Sequence, residues 1–390
     1  MYIDYTPEQQ AFQDKLRAYF TALMTPALRQ ELDDTEGGGP LYTAALKQMA
    51  AEGWLGLGWP TEYGGGGRPA IEEFLFFNEV QRVGFPIPLL TLNTVGPTLA
   101  RHGTPEQRAR FLPAILAGEC HFSIGYTEPS AGTDLASLST RAVRDGDHYV
   151  INGQKIWNSL GSFADFIWLA ARTNPDGKKH ESISILIVPT DAPGVSLTPM
   201  KALGDNEVSA VYLENVRVPV TDRVGPEHGG WRLITTQLNH ERIALMSVGP
   251  LERFVEEVTE WAAATPDGDC SLLDRPWVAR NLAEVSAGVE VLKLMNWKLA
   301  WDIERDAVNY ADASAIKVYG SELYVSAYRQ LMEVLGEAGT LRTGSPGAAL
   351  RGDIERYHRA TLVLTFGGGT NEVQRDIIAM AGLRMPRARR

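Results

Sequence analysis

Two stretches of the chain place hydrogen-bonding groups where a loop and a strand can present them to a ligand. The first, Tyr126-Thr127-Glu128-Pro129-Ser130-Ala131-Gly132-Thr133-Asp134, follows the apolar run Phe122-Ser123-Ile124. The run predicts a strand, and the Pro, Ser, Gly, Thr and Asp after it predict a turn with free backbone N–H groups. The second is Asn152-Gly153-Gln154-Lys155-Ile156-Trp157-Asn158-Ser159, on a strand just after an Asp145-Gly146 turn. There an indole precedes a hydroxyl by two positions. Free N–H groups and hydroxyls facing a pocket suit a flat, polar-edged ligand such as a flavin ring. An ordinary surface loop in a β domain would also carry the first stretch.

A third position offers a base. In Leu238-Asn239-His240-Glu241-Arg242-Ile243-Ala244-Leu245 the carboxylate of Glu241 falls on the stripe of Ile234, Leu238 and Leu245, at successive spacings of four, three and four. Those spacings share one helix face, here the apolar one. Desolvation raises the pKa of a carboxyl on such a face, by up to roughly 3–5 pH units if it is fully buried. A base poised nearer neutrality is what abstraction of a weakly acidic C–H proton requires. Pairing of Glu241 with His240, Arg242 or a lysine of another domain would account for the same residue structurally.

The elements that must position these groups follow a simple order. Thr6-Pro7-Glu8-Gln9 and Thr104-Pro105-Glu106-Gln107 are helix starts with a capping threonine and a reach-back glutamine. Phe12, Leu16, Phe20 and Leu23 recur at helical spacing, and residues 1–118 read as all-helical. Between 119 and 225 short β-branched runs separated by turn residues predict a small, mostly antiparallel β domain. After Gly229-Gly230-Trp231 the helical period resumes and fills 226–390. The fold class is α+β.

Composition bounds the function. A net charge of −11 and the lack of a Lys/Arg run exclude nucleic acid as a partner. The longest apolar stretch, Ile183 to Val188, is strand-sized, far short of the ~20 residues that span a bilayer. The polar, acidic N-terminus lacks the pattern of a secretory signal, so the expected location is cytoplasmic. Two distant cysteines, Cys120 and Cys270, read as reduced thiols, and no metal site is expected.

The loop and strand together resemble those that hold FAD in the acyl-CoA dehydrogenase family. The order helix, sheet, long helices matches that fold over nearly the whole chain: an N-terminal helical domain, a middle antiparallel β domain and a C-terminal four-helix bundle. The resemblance implies that Ile124, Tyr126, Thr127, Gly132, Thr133, Trp157, Asn158 and Ser159 bind FAD. Thr127 would bond flavin N5, Trp157 would cover the ring, and Thr133 and Ser159 would contact flavin or its phosphates. Many members place a catalytic Glu near the C-terminus; here Phe366-Gly367-Gly368-Gly369-Thr370-Asn371-Glu372 puts Gly368 at that position. Its N–H can still serve the thioester oxygen, while Glu372 reads as a helix cap or surface charge. Isovaleryl- and long-chain-type members carry the base on the helix after the β domain, in a Glu-Arg pair, which implies Glu241 as the base.

Family members share each FAD between two subunits, the neighbour bringing an Arg-x-x-Phe-Gly segment and a Gln. Here Ala264-Thr265-Pro266-Asp267-Gly268-Asp269-Cys270-Ser271 has no arginine, and Leu331-Met332-Glu333-Val334-Leu335-Gly336-Glu337 has glutamates instead. This resembles the α subunit of α2β2 steroid side-chain acyl-CoA dehydrogenases of actinobacterial sterol catabolism. The expected partners are an acyl-CoA of 3-oxocholest-4-en-26-oyl type, a paralogous β subunit and an electron-transfer flavoprotein. A homotetrameric short-, medium- or branched-chain dehydrogenase, a flavin oxidase and a flavin-free scaffold subunit are the competing expectations.

Overall fold

The computed structural model describes residues 4–35, 38–240 and 246–386. The chain opens with helices α1 (Pro7–Leu23), α2 (Pro26–Thr35), α3 (Pro40–Ala51), α4 (Ala70–Arg82), α5 (Gly96–His102) and α6 (Pro105–Leu116). Both Thr-Pro-Glu-Gln signals form capping boxes. Gln9 N–H donates to Thr6 Oγ1 at 3.2 Å and Thr6 N–H donates to Gln9 Oε1 at 2.9 Å. The Thr104–Gln107 box repeats this at 3.2 and 3.0 Å. Gln107 also donates to the carbonyls of Thr221 and Arg223, at 2.7 and 2.9 Å, which fastens α6 to the end of the sheet.

Eight strands follow: β1 (Phe122–Gly125), β2 (Arg141–Asp145), β3 (His148–Ser159), β4 (Phe166–Arg172), β5 (Ile183–Pro189), β6 (Val195–Lys201), β7 (Glu207–Pro219) and β8 (Arg223–Val224). They form one sheet in the order β6-β7-β3-β2-β4-β5-β8, with β1 beside β4. Pairing is antiparallel except for β1 with β4 and a single-residue β2–β4 contact. Side chains alternate across a strand, and here both faces are covered. Ile167 and Leu169 join a core with Tyr149, Val211 and Val218, while Trp168, Ile185 and Ile187 point into the core shared with the helices. Burial on both faces explains why β4 and β5 are unbroken apolar runs.

The rest of the chain forms α7 (Gly230–His240), α8 (Gly249–Ala264), α9 (Pro276–Glu304), α10 (Tyr310–Leu335), α11 (Asp353–Thr361) and α12 (Asn371–Ile377). One departure from the all-helical expectation is a two-stranded hairpin, β9 (Pro266–Asp267) with β10 (Cys270–Ser271). The N- and C-terminal helices share a polar seam: buried Asn78 of α4 accepts from Ser247 Oγ at 3.0 Å and from Val248 N–H at 3.1 Å. Among the described residues no helix is long and apolar enough to cross a membrane, and no cluster of His, Cys, Asp and Glu could hold a metal ion.

Candidate functional site

The loop after β1 is built around a buried ion pair. Glu128 and Ala131 exchange backbone hydrogen bonds of 3.0 and 3.1 Å, closing the turn. The Glu128 carboxylate points inward, only 3% exposed, and accepts from Ser139 N–H, Ser139 Oγ and Thr140 N–H at 2.6, 2.7 and 2.8 Å. Lys155 Nζ, fully buried on β3, donates to Glu128 Oε1 at 2.8 Å and to the Tyr126 carbonyl at 3.0 Å. Burial alone would raise the Glu128 carboxyl, but the Lys155 ammonium and the surrounding donors outweigh it and hold it at about 2. Burial lowers the Lys155 ammonium to about 8 against the pull of the carboxylate. The pair therefore locks the loop to the strand.

Beside it runs a second buried chain. Trp168 Nε1 donates to Tyr126 Oη at 3.1 Å, Tyr126 Oη donates to Gln237 Oε1, and Gln237 Nε2 donates to Thr98 Oγ1 at 3.0 Å. Because Gln237 lies on α7, this chain fixes the loop relative to that helix.

Trp157 departs from regular strand geometry. Between Lys155 and Asn158 the pairing of β3 with β7 slips, so that β3 carries one extra residue. The bulge places Trp157 at φ +65°, a conformation rarely adopted by a bulky residue. Its indole is 58% exposed and lines a cavity. Such strain is held at binding sites by the structure around it.

That cavity, of about 1760 Å³, also receives Tyr126, Thr127, Gly132, Thr133 and Ser159. The hydroxyls of Thr127, Thr133 and Ser159 have no hydrogen-bond partner among the described residues. Asn158 is fully buried, and neither its amide oxygen nor its nitrogen is paired. A buried amide without partners costs roughly 1–3 kcal/mol. An unsatisfied amide beside free hydroxyls fits a ligand with a polar edge, and the residues present fit FAD. Two of the expected cofactor residues lie off the cavity wall: Asn158 is buried behind it, and Ile124 is half-buried on β1, opposite Trp168, and packs against the core. A strand alternates its faces, so a neighbour of the loop need not share its pocket.

Across the cavity stands the turn Phe366–Thr370. Gly368 has φ +67°, and a Cβ built there meets no atom within 4 Å. Its N–H has no acceptor among the described residues. Thr370 Oγ1 caps α12 by accepting from Val373 N–H at 3.2 Å, and Glu372 sits exposed in that helix's first turn. Asn371, buried behind the turn, accepts from Lys317 Nζ at 2.8 Å and donates to Ser321 Oγ at 3.0 Å. Glu241 lies outside the described residues. On α7, Ile234 is fully buried and lines the cavity, as do Thr235 and Thr236.

The suspected second half-site is the hairpin after α8. It does have an arginine in reach: Arg275 folds back to Asp267, Nε to Oδ2 at 2.5 Å. Sequence proximity hid this contact, because the guanidinium comes from beyond the hairpin. It is committed to Asp267, and Asp269 has no ion pair among the described residues. Glu333 accepts from Asn281 Nδ2 at 3.2 Å, and Glu337 is exposed.

Sequence reasoning quoted Glu128 and Lys155 but gave them no role, and it missed Gln237. The available signal is a glutamate in the middle of one stretch and a lysine, the single charge, in the other.

Comparison with known proteins agrees with this geometry. The models for the acyl-CoA dehydrogenase N-terminal, middle and C-terminal domains match residues 6–119, 123–216 and 228–383. Acyl-CoA dehydrogenase FadE26 of Mycobacterium tuberculosis is 56% identical over 400 residues, covering 100% of both chains. A chain of the ChsE4-ChsE5 complex from Mycobacterium tuberculosis superposes with a TM-score of 0.94 at 56% identity, again over 100% of both. The Tcur3481-Tcur3483 steroid ACAD gives 0.95 at 49% identity and the same coverage. The chain therefore belongs to the acyl-CoA dehydrogenase family, oxidoreductases that use FAD to act on a CH–CH bond of an acyl-CoA.

Proposed function

We propose that the chain is the catalytic, flavin-facing subunit of a heteromeric acyl-CoA dehydrogenase whose substrate is a bulky steroid side-chain acyl-CoA. One observation carries this: a single cavity joins Thr127, Trp157 and Ser159 to the Ile234 face of α7 and to the glycine turn at 367–369. FAD, when bound, supplies the acceptor for the hydride that leaves the β carbon. Thr127, Gly132, Thr133, Trp157, Asn158 and Ser159 hold and orient it, with Tyr126 and Ile124 behind the loop. The Gly368 N–H donates to the thioester oxygen, which makes the neighbouring α proton more acidic as negative charge develops there. Glu241 removes that proton. Its place on the stripe of Ile234, a cavity residue, supports the assignment.

The open space around Gly368 favours a bulky acyl group. The steroid ACAD named above, 49% identical, supports the same substrate class. A paralogous β subunit completes the FAD site in an α2β2 assembly, supported by the acidic second half-site and by the ChsE4-ChsE5 complex. An electron-transfer flavoprotein takes the electrons. The domains are placed at 1–118, 119–225 and 226–390.

Anaerobic titration of the co-expressed complex with a panel of acyl-CoAs, followed by flavin bleaching, tests the reading. Glu241→Gln should slow bleaching by roughly 10²–10⁴-fold while FAD stays bound. Unchanged bleaching in that variant would remove Glu241 as the base, and full FAD occupancy in the chain expressed alone would remove the partner.

A further inference from the structure

The helices give the same cavity a second polar region that the proton- and hydride-transfer steps leave unused. Arg29 on α2, Arg253 on α8, and Arg351, Arg356 and Tyr357 around the start of α11 all line it. The carboxylates here are Asp33 and Asp353 on the wall and Glu257 behind it. Asp33 is committed to Arg351 at 2.5 Å, but Asp353 comes only within 3.9 Å of Arg356 and Glu257 only within 3.6 Å of Arg253 Nε. Neither of the last two distances is a hydrogen bond. The Nε atoms of Arg253 and Arg356 are buried without an acceptor among the described residues. The guanidinium of half-buried Arg29 forms no ion pair or hydrogen bond with any described residue. Burial and the adjacent Arg253 and Arg351 charges both work against its ionised form, yet a guanidinium is not deprotonated in proteins. Four arginines facing three carboxylates leave one positive charge uncompensated.

The donors also converge. Gly84, at φ +79°, brings the backbone so near that a Cβ there would lie 3.2 Å from Tyr357 Oη and 3.8 Å from an Nη of Arg253. The Arg253 guanidinium is 5.9 Å from the centroid of the Tyr357 ring. Tyr357 Oη has no hydrogen-bond partner among the described residues. Around them the wall is apolar, with Met24, Leu32, Val83 and Phe85.

We propose that this recess binds the oxygenated far end of the acyl group, a carbonyl or carboxylate oxygen that accepts from Arg29, Arg253 and the Tyr357 hydroxyl. The assignment rests on the acyl-CoA dehydrogenase reading above and adds a specificity determinant to it. An apolar wall with a cationic tip matches an apolar skeleton that ends in an acceptor. The several charges of CoA's phosphates would meet Asp33 and Asp353 as well, and a single excess positive charge does not match them.

The FAD-loaded complex is titrated calorimetrically with non-reactive thioether CoA analogues of one polycyclic skeleton, ending in a ketone, a carboxylate or a plain methylene. An oxygenated analogue should bind roughly 10- to 150-fold tighter than the methylene one, the range of a hydrogen bond to a charged group. Arg29→Met and Arg253→Met should each shrink that ratio toward one. Equal affinity for all three analogues, or a ratio unchanged in the variants, overturns the proposal. Equal weakening of every analogue and of CoA itself also overturns it and assigns the arginines to CoA. Should Arg253→Met fail to fold, Tyr357→Phe reports on the same oxygen. Binding of a thioether needs no proton abstraction, so a failure here is separable from a failure to bleach flavin.

Discussion

Replacing Lys155 with methionine keeps the stem of the side chain and removes its charge, which isolates what the Glu128–Lys155 pair does. In the native chain the two groups meet at 2.8 Å with Lys155 fully buried and Glu128 3% exposed. Holding the Glu128 carboxyl at about 2 rather than its ordinary 4.5 corresponds to about 3 kcal/mol, at 1.36 kcal/mol per tenfold. Breaking a buried pair by removing one partner costs about 3–5 kcal/mol, because the other charge stays behind. The first figure also contains the Ser139 and Thr140 donors, which the substitution leaves in place, so the second sets the size of the loss; the Tyr126 carbonyl loses its donor as well. Lys155→Met should therefore cost about 3–5 kcal/mol in urea unfolding at pH 7 and reduce bound flavin, since the loop loses its tie to β3.

The pH dependence gives a second handle. The native carboxyl is depressed, so its contribution is complete above the ordinary 4.5 and is lost as the pH falls toward about 2. In Lys155→Met the burial that raises this carboxyl is no longer offset by the ammonium, and Glu128 takes up its proton at higher pH. The deficit of the variant should narrow between pH 7 and pH 5. Glu128→Gln combined with Lys155→Met should cost less than the two single changes added, as coupled sites do. A loss below about 1 kcal/mol at pH 7, or additive single and double changes, would refute the account.

Asn158→Leu replaces a buried, unpaired amide with a side chain of similar size. The FAD-free chain should gain roughly 1–3 kcal/mol in thermal or urea unfolding, while flavin content measured by absorbance falls; unchanged flavin would mean that the amide does not face the cofactor. Tyr126→Phe leaves Trp168 Nε1 and Gln237 Oε1 without partners and should cost roughly 1–3 kcal/mol per group. Gln237 precedes position 241 by four residues in the sequence, so bleaching by acyl-CoA in a stopped-flow instrument should slow too.

Much of the frame could be read from local chemistry. The capping boxes at Thr6 and Thr104 need only residues three apart, and β4 and β5 announce themselves as short apolar runs. The loop and strand at 126–159 carry enough unusual residues to mark a ligand site, and Thr127, Trp157 and Ser159 do share one cavity. What stayed hidden depends on contacts between distant residues. Glu128 and Lys155 are 27 positions apart and become partners only when β3 lies beside the loop. The left-handed Trp157 follows from a register slip against β7, which the period-two pattern of β3 does not encode. Gln237 looked like one polar residue on a helix; its meaning is Tyr126, 111 positions earlier. The Arg275–Asp267 pair is hidden for a different reason: only eight positions separate them, but they meet across a hairpin that the helical period of the region conceals.

The hairpin also sharpens the argument for a second subunit. A pyrophosphate needs donors that are not already occupied, and Arg275 spends its guanidinium on the side chain and carbonyl of Asp267, at 2.5 and 3.0 Å. Freeing it would leave the Asp267 carboxylate unpaired, two positions from Asp269. Two unit charges 4 Å apart interact by about 4 kcal/mol at the effective dielectric of a protein surface. A few like charges at that range would outweigh the gain from one released arginine. A second copy of this chain meets the same difficulty. A chain of different sequence, bringing its own cation, removes it.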